Sequence, residues 1–226
     1  MTDKIDICYL CGQKLEKNVD FDHVPPKQIY AKSIRKIHSP NLLRLPTHKS
    51  CHTPYQKDED YFVHSLGPLS MGIYSGNAIW SDISKQYKRP QGRIIGQMIL
   101  NEFDKRPSGI VLPLRKVVKR FNGERIWRVV WKITRGLYLK EYGKFLPENI
   151  PNVFKIFLDE KPGIEFEFVR NTPSRGKYPE VFDYKYANFV QKDNFHLWAM
   201  LFWDMLIMEI GFHDSECPCD KCKANT

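Results

Sequence analysis

No stretch of this 226-residue chain approaches about eighteen consecutive apolar residues, so nothing in it reads as a transmembrane helix. The opening MTDKIDICYLCG carries acidic residues and no long apolar run, and it does not read as a secretory leader. The expected setting is cytoplasmic, where thiols stay reduced. Internal repeats and low-complexity segments are missing too, so nothing reads as a solenoid or a compositionally biased tract. The six cysteines lack the spread of a disulfide framework: Cys8 and Cys11 form a C-x2-C pair, Cys51 stands alone, and Cys217, Cys219 and Cys222 crowd the tail. Close spacing in a reducing compartment favours metal over disulfide. Acidic residues are scarce between Lys105 and Lys144, where Glu124 and Glu141 are the only ones.

The chain does have enough apolar content, 42%, for a real core in one large domain or in a small module plus a larger one. The formal net charge is +9 and the pI about 9.2. That balance favours an anionic partner, of which nucleic acid is the commonest.

Two regions differ in texture. Residues 1–66 are dense in Cys, His, Pro and Lys and short of long apolar periodicity, as a small metal-organised module is; Lys57 to Leu66 reads as a helix leaving it. In residues 67–226, a looser stretch from Gly67 to Gly76 precedes a helical pattern near Ile94 to Phe103. A stronger helix spans Glu124 to Tyr142, with Ile126, Val129, Val130, Ile133 and Leu137 on one stripe and Gly143 as its stop. Alternation predicts a strand over Gly163 to Val169 and another over Val181 to Phe189. The apolar run from His196 to Phe212 reads as one or two strands, with Asp204 marking a turn. The expected class is α+β: the N-terminal module first, then helices and an antiparallel β region.

Cys8-x2-Cys11 and His48-x2-Cys51 have zinc-site spacing, and a Cys3His set is closed, so its zinc is structural. Between these halves lie Asp22-His23-Val24-Pro25 and Asn41-Leu42, and His52 follows Cys51 directly. In this combination the segment from about residue 8 to about residue 62 resembles the HNH endonuclease family in its zinc-bound form. It departs from that pattern in having His48 where Cys is more usual, and in a longer run from Asn41 to Cys51. The resemblance implies a ββα-metal fold, with a hairpin carrying Asp22 and His23, a loop carrying Asn41, and a helix carrying His52. It implies a metal-dependent endonuclease that cuts DNA. His23 would be the general base, and Asp22 and His52 would hold a catalytic Mg2+ or Mn2+. Asn41 would orient the His23 loop. The chemistry agrees, because imidazole titrates near neutral pH and phosphodiester hydrolysis needs a cation to absorb charge. Features after Trp131 are similar to a C-terminal extension on bacterial HNH proteins that names no function.

Lys27 and Lys49 are candidate phosphate contacts near this site, with Arg35, Lys36 and Lys57. Arg125, Arg128 and Lys132, together with Arg115, Lys116, Lys119, Arg120 and Arg135, are candidates for a phosphate-tracking surface. Trp127 and Trp131 either stack on bases there or complete a core. His213, Cys217, Cys219 and Cys222 form a possible second metal set. Two other readings stand beside the nuclease: a zinc-stabilised nucleic-acid binder that does not cut, and a partner-docking protein. DNA versus RNA, nicking versus double-strand cutting, and a homodimer or protein partner stay open.

Overall fold

A computed structural model describes residues 6–16, 19–38, 42–104, 113, 117–157, 164–191 and 194–214. The N-terminal region opens with strand β1 (Asp20–His23), followed by helix α1 (Lys32–His38), strand β2 (Arg44–Thr47), short helix α2 (Lys49–His52) and helix α3 (Gln56–Leu66). The antiparallel pair β1–β2 sets Asp22 opposite Leu45 and His23 opposite Arg44. Its strands are joined through α1 rather than by a tight turn. Helices α4 (Tyr74–Tyr87) and α5 (Pro90–Leu100) come next, then a short antiparallel pair, β3 (Phe103–Asp104) with β4 (Val118–Lys119).

Helix α6 (Gly123–Tyr142) organises the rest. Asn122 caps it, its side chain accepting from the Arg125 amide at 3.2 Å. Gly143 ends it at φ 67°, the left-handed conformation glycine adopts without a Cβ clash. The expected stripe of Ile126, Val129, Val130, Ile133 and Leu137 is buried. Beyond it lies a four-stranded antiparallel sheet made of β5 (Asn152–Phe157), β6 (Phe182–Phe189), β7 (Phe195–Phe202) and β8 (Leu206–His213), in the order β5-β8-β7-β6. The apolar run is thus two strands, and Asp204, at φ 53°, lies in the turn between them. That turn buries Trp203, whose indole donates to the Ile29 carbonyl at 2.8 Å and so ties the sheet to the N-terminal region.

The strand expected over Gly163 to Val169 is instead helix α7 (Ile164–Arg170). Alternation over so few residues is weak evidence, and glutamates suit a helix better than a strand. Val169 packs with Leu197 and Ala199, so the segment covers one face of the sheet instead of extending it. Both tryptophans of α6 complete the core. Trp131 is buried and donates to the Glu148 carbonyl at 2.9 Å, and Trp127 donates to Asn152 Oδ1 at 2.7 Å. Among the described residues no helix is long and apolar enough to cross a membrane.

One buried cluster runs from Cys8 through α3 and α6 to Phe212, so the two regions share a core. Gly136 marks one close approach between them. A Cβ there would lie 2.8 Å from both γ-carbons of Val24 and 3.1 Å from Leu45 Cδ1. Gly136→Ala is expected to cost about 1–3 kcal/mol by overpacking, read as a lower denaturant midpoint. An unchanged midpoint would mean that the contact is slack.

Candidate metal centre and cleft

A knuckle forms the first half of the metal centre. The Gly12 amide donates to the Cys8 carbonyl at 2.8 Å and the Cys8 amide to the Gln13 carbonyl at 2.9 Å, with Gly12 at φ 73° in the turn. His48, at the start of α2, and Cys51 within it form the second half. The ligand atoms of Cys8, Cys11, His48 and Cys51 all lie within 4.8 Å of one another. Cys11 Sγ is 3.3 Å and Cys51 Sγ 3.8 Å from His48 Nδ1. Tetrahedral zinc bonds of about 2.3 Å to sulfur and about 2.0 Å to nitrogen give edges of about 3.5 Å, so the separations suit such an ion. Burial opposes ionisation of Cys8, but the Thr47 hydroxyl and the surrounding amides outweigh it and lower the thiol to about 6. Burial and the neighbouring thiols push Cys51 up to about 12. A bound cation would offset the burial that opposes a Cys51 thiolate.

Beside this centre opens a cleft of about 440 Å³, lined by Phe21, Asp22, His23, Lys27, Arg35, His52, Glu59 and Asp60 among others. Strand β1 supplies Asp22 and His23, and α2 supplies His52. Asp22 is 8% exposed, and its Oδ2 accepts from the Tyr9 hydroxyl at 2.5 Å and faces Lys132 Nζ at 2.6 Å. His52 Nε2 donates to Asp20 Oδ2 at 2.8 Å. That contact lowers the Asp20 carboxyl below its ordinary value, helped by the Phe21 amide. His23 is half-buried. Burial, then the charges of Lys27 and Arg44, hold its imidazole below 6.5, against the pull of Asp22.

The structure therefore brings Asp22, His23 and His52 to one cleft. Asn41 lies outside the described residues, although the nearby Leu43 carbonyl accepts from the Val24 amide at 3.0 Å, next to His23. Lys27 lines the cleft and is exposed, and Lys49 is exposed at the start of α2. Arg125, Arg128 and Lys132 do not form the expected outward surface. Arg125 and Arg128 both close on Asp58, at 2.7 and 2.8 Å, and Lys132 is 1% exposed, held between Asp22 and Glu59. Arg135 is buried as well, donating to the carbonyls of Leu146 and Leu10, the latter in the knuckle. Lys119 and Arg120 pair with Glu102 and Asp104. Arg115, Lys116 and the tail cysteines Cys217, Cys219 and Cys222 lie outside the described residues.

Sequence reading passed over Tyr9, Asp20, Glu59 and Asp60. Asp20 had a usable signal, since it precedes Asp22 by two residues in a strand and shares its face. Comparison with protein-family models, with curated proteins and with solved structures gives no match. What the residues themselves establish is an α+β protein with a compact Cys3His cluster able to coordinate a metal ion.

Proposed function

We propose that this protein is a metal-dependent endonuclease of HNH type, in which residues 1–66 carry the chemistry and residues 67–226 support the site and contact substrate. The observation that carries this reading is the single cleft lined jointly by Asp22, His23 and His52, beside a zinc-type cluster. His23 is the general base that takes a proton from the attacking water. Its lowered pKa keeps the imidazole neutral, and so able to accept that proton, at physiological pH.

Asp22 and His52 are the residues that would hold a divalent cation. The donors fit: Nε2 of His52 is turned to Asp20 Oδ2, which leaves Nδ1 for the cation, and Asp20 serves as the outer carboxylate that orients such a ligand. When bound, the cation neutralises charge on the phosphate and on the departing 3′ oxygen. Lys27 and Arg35 also line the cleft and are the cations that would contact phosphate oxygens. The products carry a 5′ phosphate and a 3′ hydroxyl, and DNA is the substrate we assign. Asn41 orients the His23 loop in this reading, and zinc in the Cys8, Cys11, His48, Cys51 set braces the whole.

A non-cutting nucleic-acid binder is the rival, favoured by one observation: Asp22 Oδ2 is already engaged by Lys132 and Tyr9. Cleavage itself separates the two, and its pH dependence tests His23. A base that must be neutral works at and above its pKa, so kcat/KM should rise with pH through an acid limb whose midpoint lies below 6.5, and then level off. An acid limb centred above 6.5 would exclude His23 as the base, and no cutting of DNA or RNA with Mg2+ or Mn2+ would favour the binder.

A further inference from the structure

Along α6, the four cations Arg125, Arg128, Lys132 and Arg135 recur three, four and three residues apart, which is one face of a helix. Each meets a partner in the N-terminal region: Asp58 for the first two, Asp22 and Glu59 for Lys132, and the knuckle carbonyl of Leu10 for Arg135. Lys132 stands out, because its ammonium lies behind the wall of the cleft. It is 2.6 Å from Asp22 Oδ2, in contact with Glu59 Oε1, and 5.5 Å from the centre of the Tyr55 ring. At 1% exposure it cannot reach a substrate in the cleft.

We infer that Lys132 is a positioning residue for the cleft: from α6 it fixes the Asp22 carboxylate through Oδ2 and leaves Oδ1 to receive the divalent cation. This rests on the endonuclease reading of Asp22 as a cation ligand. Tyr9 donates to the same Oδ2, so that oxygen has two fixed donors and the carboxylate plane is held from behind. A carboxylate held in this way presents its second oxygen in one orientation, as outer residues around metal ligands do. The site is then incomplete without α6, whatever residues 1–66 supply.

Mn2+ binding and steady-state cleavage by the 226-residue chain test this, with zinc content and the melting transition as checks on folding. Lys132→Met is expected to weaken Mn2+ binding and lower kcat by about 10–100-fold each, with KM for DNA unchanged because Lys132 touches no substrate. Losing one member of a buried ion pair can unfold a protein, so Lys132→Met/Glu59→Gln is measured beside it, since it leaves no unpaired Glu59 charge. The double variant should show the same losses. Recovery of wild-type Mn2+ affinity in the double variant would show that Lys132 only neutralises Glu59, and would overturn the proposal. Tighter Mn2+ binding in either variant would also overturn it, by making Lys132 a competitor of the cation. Asp22→Asn keeps the two readings apart. If it abolishes Mn2+ binding while Lys132→Met leaves binding intact, only the role of Lys132 falls. If the wild type binds no Mn2+, both fall.

Discussion

His23→Ala is expected to lower the single-turnover rate of DNA cleavage by about 10²–10⁴-fold while leaving DNA affinity within a few-fold. The separation follows from what surrounds the imidazole. His23 ends β1 and lines the cleft, with the charges of Lys27, Arg44 and Arg35 acting on it, so the cationic groups that would hold phosphate survive its removal. In the endonuclease reading the variant loses only the proton acceptor. Because His23 is half-buried at a strand end, outside the main cluster, the fold should tolerate alanine. Comparing the cleavage rate with binding measured by fluorescence anisotropy distinguishes a base from a mere contact. Equal losses in both would make His23 a binding residue, and no loss in either would remove it from the site.

Cys51→Ser is expected to abolish stoichiometric zinc and to destabilise the whole chain rather than a local loop. Zinc bound by a four-ligand structural site contributes about 10–16 kcal/mol in small zinc-dependent folds, as much as the net stability of many domains. Here the knuckle is continuous with the main core: Cys8 is fully buried, and Tyr9 and Leu10 belong to the same cluster as α3 and α6. A loss of about 5 kcal/mol in a chain of this size lowers Tm by about 10–20 °C. Tyr9 also donates to Asp22, so loss of the metal should disturb the cleft in step with the fold. Metal analysis and calorimetry on the same sample check this. A variant that keeps its zinc and its melting temperature would show that Cys51 is no ligand.

The metal centre was legible because its chemistry is local. Each half needs two ligands on one tight turn, and the spacings Cys8-x2-Cys11 and His48-x2-Cys51 record that need directly. The apolar stripe of α6 and the turn at Asp204 were legible for the same reason, since helix period and chain reversal are written in neighbouring residues. Helix α4, with Ser, Gly and Asn in its first turn, offered no comparable signal. For α7 the alternation pointed to a strand, and the face of the sheet that Val169 covers decided otherwise.

The inward cations of α6 were the least legible. A basic residue off the apolar stripe normally faces solvent, and nothing near Lys132 announces a partner. Glu59 lies 73 residues away in the chain, and Asp22 farther still. Only the fold brings the three together, and that turns an expected phosphate contact into a strut behind the cleft.

Cleavage of supercoiled plasmid by the zinc-loaded wild-type protein, with and without added Mg2+ or Mn2+ and with the product ends analysed, tests the central claim most directly. Cutting is expected only with the added cation, leaving 5′ phosphate and 3′ hydroxyl ends. A folded, zinc-bound protein that leaves the plasmid intact with both cations would contradict it.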